Sequence, residues 1–82
     1  MAILYALTTE KSAAMIERDN KMVFIVEANA TKTIVAQEVL KTWGEKVSQV
    51  RTINGANGKK KAIVKFVRKG AAADVAAKLK LI

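Results

Sequence analysis

The sequence predicts a small α+β domain: one mainly antiparallel, four-stranded sheet with helices packed on it, in the order β-α-β-α-β-β-α. Three observations lead there. The stretch KMVFIVEA at 21–28 is apolar on both alternating faces, as in a strand covered on both sides. Around Ile34 to Trp43 apolar residues recur at three-to-four spacing, the period of a helix. Two half-apolar stretches flank the short turn at 54–58, which reads as a hairpin. A sheet buried on both faces needs helices on both, so three layers are expected rather than two.

Element by element, ILYAL at 3–7 makes a short first strand. Thr8 or Thr9 then caps a helix running from Glu10 to about Asp19, and Glu10 in its first turn suits the helix dipole. Asp19 and Asn20 turn the chain into the central strand, where Met22, Phe24 and Val26 alternate with Val23 and Ile25. The second helix starts near Asn29 or Thr31. Its apolar face is Ile34, Val35, Val39, Leu40 and Trp43, and Gly44 stands where a left-handed terminal residue belongs. KVSQVRTI at 46–53 is a half-exposed strand with Val47, Val50 and Ile53 apolar, and KAIVKFV at 61–67 is its partner across the Gly55 to Gly58 turn. In the closing AAADVAAKLKLI, Val75, Leu79 and Ile82 share a stripe with Ala72 and Ala76 while Lys78 and Lys80 face away, giving a covering helix.

With 82 residues the chain is one domain, 1–82, of a size that buries only about 60% of its unfolded surface. Fifteen Lys and Arg against seven Asp and Glu leave a net charge of +8, which costs self-repulsion unless a polyanion is present. Nucleic acid is the leading partner. An anionic membrane surface competes, but it asks for a basic amphipathic helix, and here the basic residues are spread over strands, turns and helices. Membrane insertion is not expected, since no apolar run approaches the ~20 residues that span a bilayer. The start, MAILYAL, lacks a basic leader and is a poor secretory signal. Cysteine and histidine are both absent, which excludes disulfides, thiolate and zinc sites and the Ser/His/Asp nucleophile systems. A reducing cytoplasm fits. No metal or cofactor is expected, and the seven carboxylates show no pairing that would place two in one cleft, so no enzyme is expected either.

The strongest functional signal is Lys59, Lys60 and Lys61, read as a projecting hairpin tip whose ammonium groups reach phosphates. A solvated edge that discourages strand-to-strand aggregation is the bland alternative. Arg51, Lys65, Arg68 and Lys69 on the same strands and connections favour phosphate contact. Gly55 to Gly58 spells GxxG, but it joins two strands and not the two helices of a KH loop, and it lacks the spacing of a nucleotide-binding loop. Phe24 and Phe66 alternate with aliphatic residues and read as core, Trp43 as a helix end packed on the sheet, and Tyr5 carries no signal. A second reading is a protein-interaction adaptor without RNA binding, whose exposed apolar and acidic residues around Glu10 and Glu17 receive a partner.

Six strings in order, TTEK at 8–11, NKMVFIV at 20–26, ANATK at 28–32, VSQVRTIN at 47–54, GKKKAIVKF at 58–66 and DVAAKLKLI at 74–82, resemble the family of the twenty-third protein of the large ribosomal subunit. The resemblance covers nearly the whole chain. It implies a helix-packed sheet bound to large-subunit (23S-type) ribosomal RNA at the rim of the polypeptide exit tunnel, on cytoplasmic ribosomes, and no catalysis. It also implies contact with the small helical protein twenty-nine of that subunit and a docking surface for the signal recognition particle or other nascent-chain factors. The short turn at 54–58 is similar to archaeal and eukaryotic members, since bacterial ones carry a longer hairpin extension there. Residue by residue, Thr9, Glu10 and Lys11 match the family's (S/T)EK, whose acidic member is tied to factor docking; Asn20 and Lys21 match its NK, and Thr31 and Lys32 its ATK, both RNA-contacting places. The chain departs from the family where a proline is usual, at Leu7 or Thr8, and where a glycine is usual, at Lys80. Lysine and arginine would displace condensed cations from phosphates, with Asn and Thr side chains, Asn54 among them, fixing register.

Overall fold

Residues 3–7, 9–55 and 59–79 are described by the computed structural model of the protein. Thr8 as a cap, Gly58 in the turn, and Lys80 and Ile82 of the last helix lie outside the described residues. Along the chain run β1 (Ile3–Ala6), α1 (Glu10–Arg18), β2 (Lys21–Glu27), α2 (Lys32–Trp43), β3 (Val47–Asn54), β4 (Lys59–Phe66) and α3 (Ala71–Lys78). The sheet order is β1-β2-β4-β3 and every neighbouring pair is antiparallel. The chain is therefore an α+β domain with an open sheet.

β2 and β4 form the centre, in register from Lys21 opposite Lys65 to Glu27 opposite Lys59. Because successive side chains point to opposite faces, Met22, Phe24, Val26, Ala62, Val64 and Phe66 share one face. There they meet Val35 and Val39 of α2, Ala71, Ala72, Val75 and Ala76 of α3, and Ile16 of α1. Phe24 stacks on Trp43 with ring centroids 5.5 Å apart. Ile34 and Leu40, expected on the apolar face of α2, stand off this core and are exposed. A bulge between Val47 and Gln49 lets Val47 and Val50, an odd number of residues apart, both face the core.

The expected three layers reduce to two. All three helices feed the same core, and across the second face Arg51, Ile53, Lys61 and Lys65 are exposed. Val23 and Ile25 are buried on that face, as the doubly apolar strand required, but they are shielded by strand neighbours and by α1, not by a helix laid across the sheet. α1 straddles the β2 edge beyond the short β1, where Leu7 N–H donates to Val23. The chain is too short to build a second complete cover.

Helix ends are closed by four different devices. Thr9 Oγ1 accepts from Ser12 N–H while Ser12 Oγ accepts from Thr9 N–H, a reciprocal capping box on α1. Thr31 Oγ1 accepts from Ile34 N–H at the start of α2, and Gly44, at φ 71°, ends that helix in the left-handed region. α3 begins at Gly70, which has no side chain to cap it. Its Ala72 N–H donates instead to Asn20 Oδ1, from far away in sequence.

Candidate nucleic-acid interface

β4 begins at Lys59, two residues before the expected Lys61, and this changes the meaning of the lysine run. The three lysines are strand residues and not a projecting tip, so they alternate between faces. Lys60 lies on the helix side, opposite Val26, and its Nζ donates to the Ala30 carbonyl oxygen at 3.1 Å. Lys59 and Lys61 lie on the open face.

The register assembles the rest of that face. Lys21, Lys65 and Gln49 form one row; Val23, Ile63 and Arg51 the next; then Tyr5, Ile25, Lys61 and Ile53; and last Glu27 with Lys59. Five cations, Lys21, Arg51, Lys59, Lys61 and Lys65, thus share the face with a single described acid, Glu27. None of the five is in an ion pair among the described residues. Lys21 sits directly opposite Lys65, a like-charge pair that is unfavourable without a counter-anion. Between the cations Val23, Ile25 and Ile63 give an apolar floor. Lys11 of α1 joins this arrangement, since with Met15 it borders a shallow cleft of about 170 Å³ over Val23, Lys61 and Ile63.

The remaining sequence-derived candidates divide differently. Lys32 is exposed at the start of α2, and Asn54 is exposed opposite Lys60, on the helix side of the sheet. Glu10 and Glu17, two turns apart on one side of α1, are both exposed. The hydroxyls of Thr9 and Thr31 are engaged as caps. Asn20 is engaged most fully: besides accepting from Ala72, its Nδ2 donates to the carbonyls of Phe66 and Arg68 at 3.3 and 2.7 Å. Its amide ties the start of β2, the end of β4 and α3 together, which leaves it no free donor for RNA.

Arg68, counted in sequence among the phosphate-seeking residues, stays at the surface but is engaged by two carboxylates of the protein itself. Its guanidinium donates to both Glu45 oxygens, at 3.2 and 2.6 Å, and to Asp74 at 2.6 Å. The hydrogen bond from Arg68 keeps the Glu45 carboxyl below its ordinary value, and the two carboxylates raise the guanidinium further. Tyr5 is the residue the sequence did not single out. Period-two alternation would put it on the same side as Ile3, in the core, but the bulge between them turns it to the open face, half exposed, with Lys59 Nζ 5.7 Å from its ring centroid.

The sequence model of the family described as Ribosomal protein L23 matches residues 1–78. A curated relative named large ribosomal subunit protein uL23, from Pyrobaculum aerophilum, is 38% identical over 73 residues, covering 89% of this chain and 90% of that protein. Another of the same name, from Methanospirillum hungatei, is 34% identical over 79 residues, covering 96% of each.

Proposed function

From the premise that the chain belongs to the ribosomal protein L23 family, we propose that its open sheet face is the surface by which it grips large-subunit ribosomal RNA. As a member of that family it is a structural constituent of the large ribosomal subunit in the cytoplasm. The observation that carries the RNA reading is the concentration of unpaired positive charge. Five cations without ion pairs among the described residues line one face, with Lys21 and Lys65 side by side, and Lys11 adds a sixth from the α1 edge. Phosphates would relieve that repulsion and release condensed counterions. Lys32 and Asn54 make additional contacts from the helix side, while Lys60 and Asn20 serve the fold.

In this reading the protein is a binding component at the rim of the polypeptide exit tunnel and not a catalyst. Glu10 and Glu17, exposed along α1, form the docking surface for the signal recognition particle or another nascent-chain factor, and protein twenty-nine of the subunit is its ribosomal neighbour. The family resemblance supports these assignments.

Titration of large-subunit RNA fragments across salt tests the central statement. With five or six phosphate contacts, affinity should fall roughly a hundredfold or more between 50 and 200 mM salt. Lys61→Gln and Lys65→Gln should each flatten that dependence, and Lys60→Gln should leave it nearly unchanged. Equal effects at all three positions would contradict the division between faces. Charge reversal at Glu10 and Glu17 should weaken factor docking and spare RNA binding.

A further inference from the structure

We propose that Tyr5 is a stacking platform for an unpaired nucleotide of the bound RNA, with Lys59 taking the adjoining phosphate. This rests on the reading of the open face as an RNA surface and adds the form of RNA it takes. The other aromatic rings are unavailable: Phe24 and Phe66 are buried, and Trp43 is stacked on Phe24 in the core. Tyr5 alone presents a half-exposed ring on the open face, in one row with Ile25, Lys61 and Ile53. It needs no burial there for the fold, because the core contacts of β1 are made by Ile3 and Ala6.

The surroundings of the ring select its partner. Lys59 lies over it and Lys61 stands across Ile25 in the same row, and against these two cations the face sets one described acid, Glu27 opposite Lys59, so the field around Tyr5 favours a polyanion. A protein partner of ordinary composition would have to bury these ammonium groups, whereas a nucleotide supplies a π-face and a charge together. A cation over an exposed ring is held more weakly than a stacked base, so a base displaces the Lys59 ammonium, which moves to the phosphate. A-form duplex does not offer a free base face, and the RNA that reaches Tyr5 is therefore a loop, bulge or end.

The test uses the full chain with a single-stranded oligoadenylate of about twelve nucleotides, within the usual site sizes for such surfaces, and a duplex RNA of the same length. Tyr5→Phe should bind the single strand as the unmodified protein does. Tyr5→Leu should lose roughly tenfold or more on the single strand, nothing on the duplex, and keep the same salt slope, since no charge is removed. As Tyr5 is the single tyrosine, its ring resonances report directly and should move upfield on saturation with the oligonucleotide. Thermal unfolding of Tyr5→Leu checks that the fold is retained. Unmoved ring resonances, or equal losses by Tyr5→Leu on single strand and duplex, would overturn the proposal. If salt-sensitive binding persists and Tyr5→Leu is silent, stacking alone falls; if neither RNA binds and large-subunit fragments do not either, the RNA reading of the face falls with it.

Discussion

Asn20 stands in the left-handed region at φ 56°, and its side chain makes three internal hydrogen bonds. Both features have a cost when it is replaced. Asn20→Gly keeps the backbone conformation and loses the hydrogen bonds, for about 1–3 kcal/mol; Asn20→Ala loses the bonds and adds the strain of a Cβ at positive φ, about 1–2 kcal/mol more. Urea unfolding of the two variants should therefore rank alanine below glycine, and the reverse order would remove the backbone from the explanation. Glu45 makes a prediction in pH. Arg68 lowers its folded-state pKa below the ordinary 4.5, so the folded protein binds that proton less tightly than the unfolded chain does. The stabilisation is complete above the ordinary carboxylate value and is lost as pH falls through the lowered one. Glu45→Gln should accordingly be less stable than the unmodified protein near neutral pH, and the gap should close in acid; a gap that widened in acid would reverse the assignment.

At the scale of elements, α2 is stopped at both ends by single residues. Thr31→Ala removes its N-terminal hydroxyl acceptor, for about 1 kcal/mol. At Gly44 nothing lies within 4 Å of an added Cβ, so Gly44→Ala meets only the cost of its positive φ, about 1–2 kcal/mol. The helix has twelve residues, which puts the ends ~18 Å apart, and the two losses should add within about 0.5 kcal/mol in denaturant unfolding. A strongly non-additive double variant would mean that the ends communicate through the sheet. These caps were legible in sequence because they are local: a threonine before an apolar period and a glycine after it. So were the central strand and the hairpin. Strand faces were not, because a bulge is invisible to a period-two pattern, and the ones at Ile3/Tyr5 and Val47/Gln49 decide where Tyr5 and Val47 point. The start of β4 was misplaced for a related reason. Three consecutive lysines read as a hairpin tip, with the strand beginning only at Lys61, until Glu27, Val26 and Ile25 are seen to pair with them. Asn20, Lys60 and Thr31 show a further limit: the polar groups that suit a residue to RNA suit it equally to closing a turn or a helix.

The whole molecule divides its net charge of +8 unevenly. Arg68 is neutralised by Glu45 and Asp74 beside the third helix, and Lys60 is turned to the helix side and hydrogen-bonded to the Ala30 carbonyl, whereas among the described residues the open face concentrates five cations against Glu27. Such a face favours binding at the expense of the free fold. Relief of a single repulsion makes the conflict measurable at the Lys21–Lys65 pair. Lys65→Gln removes a like charge directly across the ladder and keeps the first two methylenes of the stem, so the isolated protein should gain a few tenths of a kcal/mol at low ionic strength, with the gain fading as salt screens the pair. The same substitution should weaken binding to large-subunit RNA and lower its salt slope by nearly one contact. Opposite signs in thermal unfolding and in RNA titration are the expected outcome. A variant that lost stability while binding RNA undiminished would mean that Lys65 serves the sheet, and the open face would then need another reason for its charge.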